Sequence, residues 1–384
     1  MEIYLDNSAT TRPCEAAILA AEESMRECFY NPSALYGQAF RAEKKITECR
    51  KLIAATLGAN EKNVIFTSGG TESDNLAIWG LLSTSRSQGQ ILFSAGEHDA
   101  VKNTCLAAGE KLHRKVQEIP LTREGRLDLN ALEELLREET ALICVMQVCN
   151  ETGAIFPIRE VCRLRDELAP DGRIHVDGVQ GYLRVPFSLK DCRVQSYALS
   201  GHKIHAPKGI GALVLGENVR LSPLMQGGGQ QNGLRSGTEN TPGIAGLGAA
   251  VSAFPKDGGA KMAQMKMRLA EKLRERIPGM RINGPLPGEE DGAGHILNVS
   301  FPPVRSETLL HAMEGCGIVI GTGSACSAKK GKHSRVLEAM GVPYDGLESA
   351  VRISLSVENT PEEMDICAEK LAENVSFLSR FVRR

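Results

Sequence analysis

The chain has 384 residues, 42% hydrophobic and 24% charged, with a formal net charge of −2. That length exceeds one ordinary core and predicts two packed domains, while the near-neutral charge gives no reason to expect nucleic acid or membrane as a partner. Eleven cysteines without a CxxC pair argue against a zinc site or a disulfide framework, and for a reduced, cytoplasmic protein. Most of these thiols are expected to be small buried hydrophobes. Met1-Glu2-Ile3-Tyr4-Leu5-Asp6 lacks the basic and apolar regions of a signal peptide, and no apolar run approaches a membrane span.

The polar turn Asn7 to Pro13 leads into a helical pattern from Pro13 to about Cys28, and reads by itself as a helix cap. Asn31-Pro32-Ser33 breaks the chain, and Gly37 to about Leu57 is an amphipathic helix. Asn63 to Thr67 is a strand followed by Ser68-Gly69-Gly70-Thr71-Glu72-Ser73 and a helix through Leu76, Ile78 and Leu81. Glycines that let the backbone approach, together with free N–H groups at a helix start, make an anion cradle. An ordinary Ser/Thr/Glu cap explains the same residues. Gln90 to Ser94 is the next strand and places His98 near its carboxyl end, where open α/β sheets bind ligands. A structural histidine is the alternative.

Asp128 to Glu138 is a capped helix and Ala141 to Val148 a buried strand ending in Cys149-Asn150-Glu151-Thr152-Gly153. After a helix from Ile158 to Leu168, the strand Arg173 to Gln180 carries an acid, Asp177, and an amide, Gln180, at its exit. A carboxylate there can pair with a protonated pyridine nitrogen. Gln195 to Leu199 then delivers the chain to Ser200-Gly201-His202-Lys203. A lysine between a small-residue turn and a Gly/Pro-rich segment can form a Schiff base with an aldehyde cofactor, although most lysines are solvated surface charges. The alternation of strands and helices predicts a doubly wound, largely parallel sheet.

A glycine- and hydroxyl-rich loop from Gln226 to Pro242 precedes a helix after Pro242 and another near Lys261 to Ile277. Strands near Ile296 to Phe301, Gly317 to Ile320 and Val351 to Leu355 then alternate with helices Glu307 to Glu314, Ser334 to Met340 and Pro361 to Phe381. Cys326 sits in the turn Gly321-Thr322-Gly323-Ser324-Ala325-Cys326, followed by Lys329, Lys330, Lys332 and His333. Positive neighbours favour the reactive thiolate.

In their order and spacing these motifs resemble the cysteine desulfurases, class V aminotransferases with the fold-type I pyridoxal-phosphate architecture. The resemblance covers nearly the whole chain, and the length after Cys326 is similar to the branch with a long catalytic loop. It implies an α/β fold with a large cofactor domain over residues 12–254. Residues 1–11 and 255–384 would form a smaller α/β domain carrying the cysteine loop. It further implies that Lys203 holds the cofactor and acts as general base. Gly70, Thr71, Ser200 and His202 would bind its phosphate, and Thr238 the phosphate of the other subunit's cofactor. Asp177 would pair with the pyridine nitrogen, Gln180 with the ring hydroxyl, and His98 would stack on the ring. Asn150 and Arg352 would hold the substrate carboxylate, and Cys326 would carry sulfur from L-cysteine as a persulfide, releasing alanine. A homodimer with sites at the subunit interface and a sulfur-acceptor protein are the implied partners. The acceptor could serve iron–sulfur assembly or tRNA thiolation.

Cys149 stands where the family commonly has asparagine, Tyr36 where histidine is frequent, and His205-Ala206 replaces a more usual Tyr-Gly. The loop after Cys326 is more basic than the family's usual version. Another class V enzyme, a selenocysteine lyase or an aminotransferase, is the alternative within the family. A non-catalytic scaffold is the alternative outside it, and that reading predicts loss of Lys203, Asp177 or Cys326.

Overall fold

The computed structural model describes residues 2–289, 291–323 and 333–381. The short strand β1 (Ile3–Tyr4) comes first, then helices α1 (Glu15–Glu27) and α2 (Gly37–Leu57), the latter closed by Gly58 in the left-handed conformation. A seven-stranded sheet follows, built from β2 (Val64–Thr67), β3 (Gln90–Ser94), β4 (Val116–Ile119), β5 (Thr140–Met146), β6 (Arg173–Asp177), β7 (Ser196–Ser200) and β8 (Gly211–Leu215). Its spatial order is β2-β8-β7-β6-β5-β3-β4.

The run from β4 to β7 is parallel, and its inner strands β3, β5 and β7 are buried along their whole length, as expected where helices cover both faces. β8 instead runs antiparallel to both β7 and β2. The cause is local: a parallel return needs a crossover of a dozen or more residues, and the chain between Ser200 and Gly211 is too short for one. That short return holds Lys203 at the end of β7.

Two further sheets complete the fold. β9 (Arg281–Ile282), β10 (Ile296–Ser300) and β12 (Ala350–Ser354) form an antiparallel sheet in the order β12-β10-β9, while β1 pairs in parallel with β11 (Ile318–Val319). Ile3 and Leu5 share one core with Met265, Leu269, Leu297, Val351, Ile353, Met364 and Leu371. The start of the chain is therefore packed with its last third. Two other cores lie against the seven-stranded sheet. Val336, Leu337 and Met340, from the last third of the chain, pack into one of them.

Near the site the structure departs from the sequence-based expectation in two places. Helix α3 (Gly70–Thr84) begins at Gly70, so the anion-cradle residues form its first turn. Helix α4 (Asp99–Leu112) and strand β4 were not expected at all. The buried stripe of α4 is Val101, Thr104, Cys105 and Ala108, too small and too polar to read as an apolar face, and β4 is a half-exposed edge strand.

Candidate active site

A cavity of about 220 Å³ opens at the carboxyl ends of the parallel strands. Its walls include Ser8, Ala9, Gly70, Thr71, Asp74, His98, Asn150, Asp177, Gln180, Ser200, His202, Lys203 and Arg352. Residues far apart in sequence meet here because β3, β5, β6 and β7 all end on this side and the small sheet brings in Arg352.

Lys203 closes the single helical turn Gly201–Lys203 between β7 and β8. Its Nζ donates to the carbonyls of Ser8 (2.5 Å) and Ala9 (2.9 Å). Burial, with the positive charges of Arg352 and Arg184, lowers its pKa to about 7. Half of such amines are neutral, and so nucleophilic, near neutral pH.

Asp177 ends β6 and accepts the Val179 N–H at 2.9 Å. Burial raises its pKa, opposed by that hydrogen bond and by the charges of His98 and Lys203. Asp74, one turn beyond Gly70 on α3, also lines the cavity, and its Oδ1 meets His175 Nε2 at 3.1 Å. Burial pushes His175 down to about 3, so the ring is neutral, and its Nδ1 lies 2.8 Å from Ser196 Oγ. Burial and the neighbouring Asp177 drive Asp74 up. Two carboxyls thus share one buried site, a condition under which both do not readily ionise.

The N-cap of α3, Gly69, has no side-chain capping bond, which leaves first-turn N–H groups facing the cavity. A Cβ on Gly70 would lie 2.7 Å from Val179 Cγ2, so glycine is what lets this turn approach β6. His98 caps α4 by accepting the Ala100 N–H on Nδ1 (3.1 Å). Gln180 Nε2 donates to Ser8 O at 3.0 Å, and His202 Nδ1 lies 3.1 Å from Thr10 Oγ1. Arg352 donates to Asn150 O (3.0 Å) and Asp6 Oδ1 (2.9 Å), while its Nε is buried without a partner among the described residues.

The sequence-predicted residues Lys203, His98, Gly70, Thr71, Asn150, Asp177, Gln180, Ser200, His202 and Arg352 are thus brought together. Thr238 is not: it is exposed and lies outside the cavity wall. Cys326 lies outside the described residues, as do Lys329, Lys330 and Lys332. Sequence reasoning missed Ser8, Ala9 and Asp74. For Asp74 a signal existed, since i and i+4 from Gly70 share one helix face. Cys149 is fully buried, and burial raises its thiol pKa.

These residues fit pyridoxal phosphate: an uncapped helix start with hydroxyls for the phosphate, a buried carboxylate for the ring nitrogen, and an amine of lowered pKa for the aldehyde. Among the described residues no cluster of His, Cys, Asp and Glu could hold a metal, and no helix is long and apolar enough to cross a membrane.

The chain belongs to the class V aminotransferase family, whose model matches residues 3–367. Its relatives narrow that class. A cysteine desulfurase of Gluconacetobacter diazotrophicus is 37% identical, over 94% of this chain and 90% of that one. Among solved structures, a NifS-like protein superposes with a TM-score of 0.90 at 34% identity, over 98% of this chain and all of its own (100%). SspA in complex with cysteine superposes with a TM-score of 0.81 at 31% identity, over 94% and 100% of the two chains. The expected fold and the expected resemblance are both borne out.

Proposed function

We propose that the protein is a pyridoxal-phosphate-dependent cysteine desulfurase that removes sulfur from L-cysteine, leaving alanine and a persulfide on Cys326. The observation that carries this reading is the meeting of Lys203, Asp177 and Arg352 in one cavity, in a chain similar to cysteine desulfurases along 94% of its length. Bound at Lys203, pyridoxal phosphate supplies an electron sink for negative charge at the substrate Cα.

The chain's own residues do the rest. Gly70, Thr71, Ser200 and His202 would hold the phosphate, and Thr238 would reach the phosphate of a second subunit. Asp177, as carboxylate, would keep the proton on the ring nitrogen, Gln180 would pair with the ring hydroxyl, and His98 would stack on the ring. Arg352 and Asn150 hold the substrate carboxylate, a task that suits a planar guanidinium fork. The Lys203 amine, in the neutral form that a pKa of about 7 makes available near neutral pH, would take the α-proton. The Cys326 thiolate would then attack the substrate sulfur; the S–S bond forms as the Cβ–S bond breaks, and Cβ leaves with the bonding pair and is protonated on the way to alanine. The persulfide passes to an acceptor protein.

A homodimer is part of this reading. Leu19, Met25, Phe29, Leu35, Tyr36 and Phe40 expose an apolar surface along α1, α2 and the segment between them, and Thr238 is exposed.

The test is product analysis with L-cysteine. Alanine and sulfide should form, and an absorbance band near roughly 420 nm, as pyridoxal Schiff bases give, should shift on adding substrate. Cys326→Ser should keep the band and lose sulfide release. Full sulfide release by that variant would falsify the role of Cys326, and amino transfer to a keto acid in place of alanine would make the protein an aminotransferase.

A further inference from the structure

Behind the Lys203 turn lies a buried cation that none of the roles above employs. Arg184 is 6% exposed, and its guanidinium donates to the Lys203 carbonyl through Nη2 and to the Gln180 carbonyl through Nη1 (3.4 Å). Nη1 also lies 3.5 Å from Gln180 Oε1. Among the described residues it makes no ion pair: Asp257, which lines a second, separate cavity together with Arg184, pairs instead with Lys261 at 3.3 Å. The groups around it are Tyr197, His205 and His295, and burial lowers the pKa of each histidine and raises that of the tyrosine, so none offers an anion at neutral pH.

Burying a cation without an anion is costly, and a site that tolerates it gains something from the charge. The group that gains is the amine of Lys203, whose own carbonyl Arg184 holds. Lys203 Nζ touches two carbonyls, which by themselves favour the charged ammonium. The charged groups acting on it are Arg352 and Arg184 against Asp177 and Asp6, with the neutral His202 beside it. Arg352, the larger of the two positive influences, is paired with Asp6 at 2.9 Å. Arg184 is not. Its position also matters mechanically, because it ties the main chain of Lys203 to that of Gln180, two cavity-lining residues that follow the adjacent strands β7 and β6 and whose side chains both reach the Ser8 carbonyl.

We propose that Arg184 is a positioning residue for Lys203: its guanidinium clamps the Lys203 carbonyl to Gln180, and its uncompensated charge favours the neutral, nucleophilic amine. A second cation beside a buried lysine is a recognised way to activate the amine. The inference rests on the proposed role of Lys203 as the cofactor-holding nucleophile, and it concerns the protein before any cofactor binds.

The experiment is competitive labelling of the cofactor-free protein with acetic anhydride across pH 5 to 11, reading acetylated Lys203 by mass spectrometry. Wild type should show a midpoint near 7, as its environment implies. Arg184→Met should raise the midpoint by about one pH unit, so that Lys203 labelling at pH 7 falls several-fold and at most about tenfold. Arg184→Lys keeps the charge without the fork and should leave the midpoint near that of wild type while weakening retention of pyridoxal phosphate. If Arg184→Met does not fold, Arg184→Lys alone decides, because a midpoint in the ordinary lysine range overturns the proposal. An unchanged midpoint in a folded Arg184→Met protein also overturns it. Failure of the wild-type protein to bind pyridoxal phosphate at all, with these midpoints as expected, sinks the functional reading and leaves the electrostatic one standing.

Discussion

Arg352 and Asp6 pair at 2.9 Å across 346 residues of chain, and the pair sets the orientation of the guanidinium at the cavity wall. Asp6 follows β1 and Arg352 lies in β12, two segments already joined by the backbone bond Ser354 N to Leu5 O (2.7 Å). With Nη1 on Asn150 O, the fork is held in one orientation, as the proposed binding of a substrate carboxylate requires.

Arg352→Lys is therefore expected to raise the KM for L-cysteine by about 10- to 100-fold, with a smaller effect on kcat. The range corresponds to about 1.5–3 kcal/mol for hydrogen bonds to a charged group. Lysine keeps the charge and loses the fork, so it should not rescue binding. Steady-state alanine formation measures this, and an unchanged KM removes Arg352 from carboxylate binding.

Asp177→Asn should separate binding from folding. The amide oxygen can still accept the Val179 N–H, and removing a buried carboxyl with a raised pKa lowers no packing. The cofactor-free variant should unfold at the denaturant concentration of wild type or slightly above it. Retention of pyridoxal phosphate after gel filtration should fall by at least about tenfold, if a carboxylate is what holds the ring nitrogen. Full retention and activity would count against that role.

Gly178→Ala tests the packing beneath the site. A Cβ on Gly178 would sit 1.9–2.3 Å from Tyr197 Cζ, Cε1 and the hydroxyl oxygen. That ring cannot retreat: it is fully buried, stacks on Phe187 at 4.8 Å, and donates its hydroxyl to Gln147 Oε1 at 2.6 Å. Overpacking of this kind costs about 1–3 kcal/mol. Urea unfolding should report it, and a loss below about 0.5 kcal/mol would mean the ring yields.

Lys266 gives a pH dependence with a definite sign. Its Nζ donates to the carbonyls of Pro285 and Ala293, each at 2.9 Å, and burial lowers its pKa to about 7. In the unfolded chain a lysine titrates near about 10.4. Between those values the unfolded state binds more protons, so this residue makes stability rise with pH through the window and penalises it fully below about 7. Lys266→Met lacks that slope. The stability difference, variant minus wild type, should fall by about 1.4 kcal/mol per pH unit between pH 7 and 10. Parallel stability curves would show that Lys266 stays charged.

Where an element's pattern is local, the sequence was enough to place it. Helix α2 at Gly37–Leu57, strand β3 at Gln90–Ser94 and the helix Ile158–Leu168 lie where periodicity and breakers put them. Helix α4 escaped because Thr104, Cys105 and Ala108 cover its buried face without an apolar stripe. The cavity residues Lys203, Asp177, His98 and Arg352 were legible through motif order. Arg184 was not, because a guanidinium in isolation reads as a solvated charge until its burial is known, and Asp74 was passed over although it shares a helix face with Gly70.

By itself, the sequence determined the class of protein: the alternation that yields a mostly parallel sheet, and the ordered motifs that carry the family resemblance through residues 3–367. Tertiary structure alone decided the chemical state of those residues. Lys203 is an ordinary lysine in sequence, and its pKa falls to about 7 only after folding buries it between β7 and β8 with Arg352 and Arg184 nearby. Protonation depends on desolvation and on charges brought close by folding, and neither is a property of any local stretch of chain.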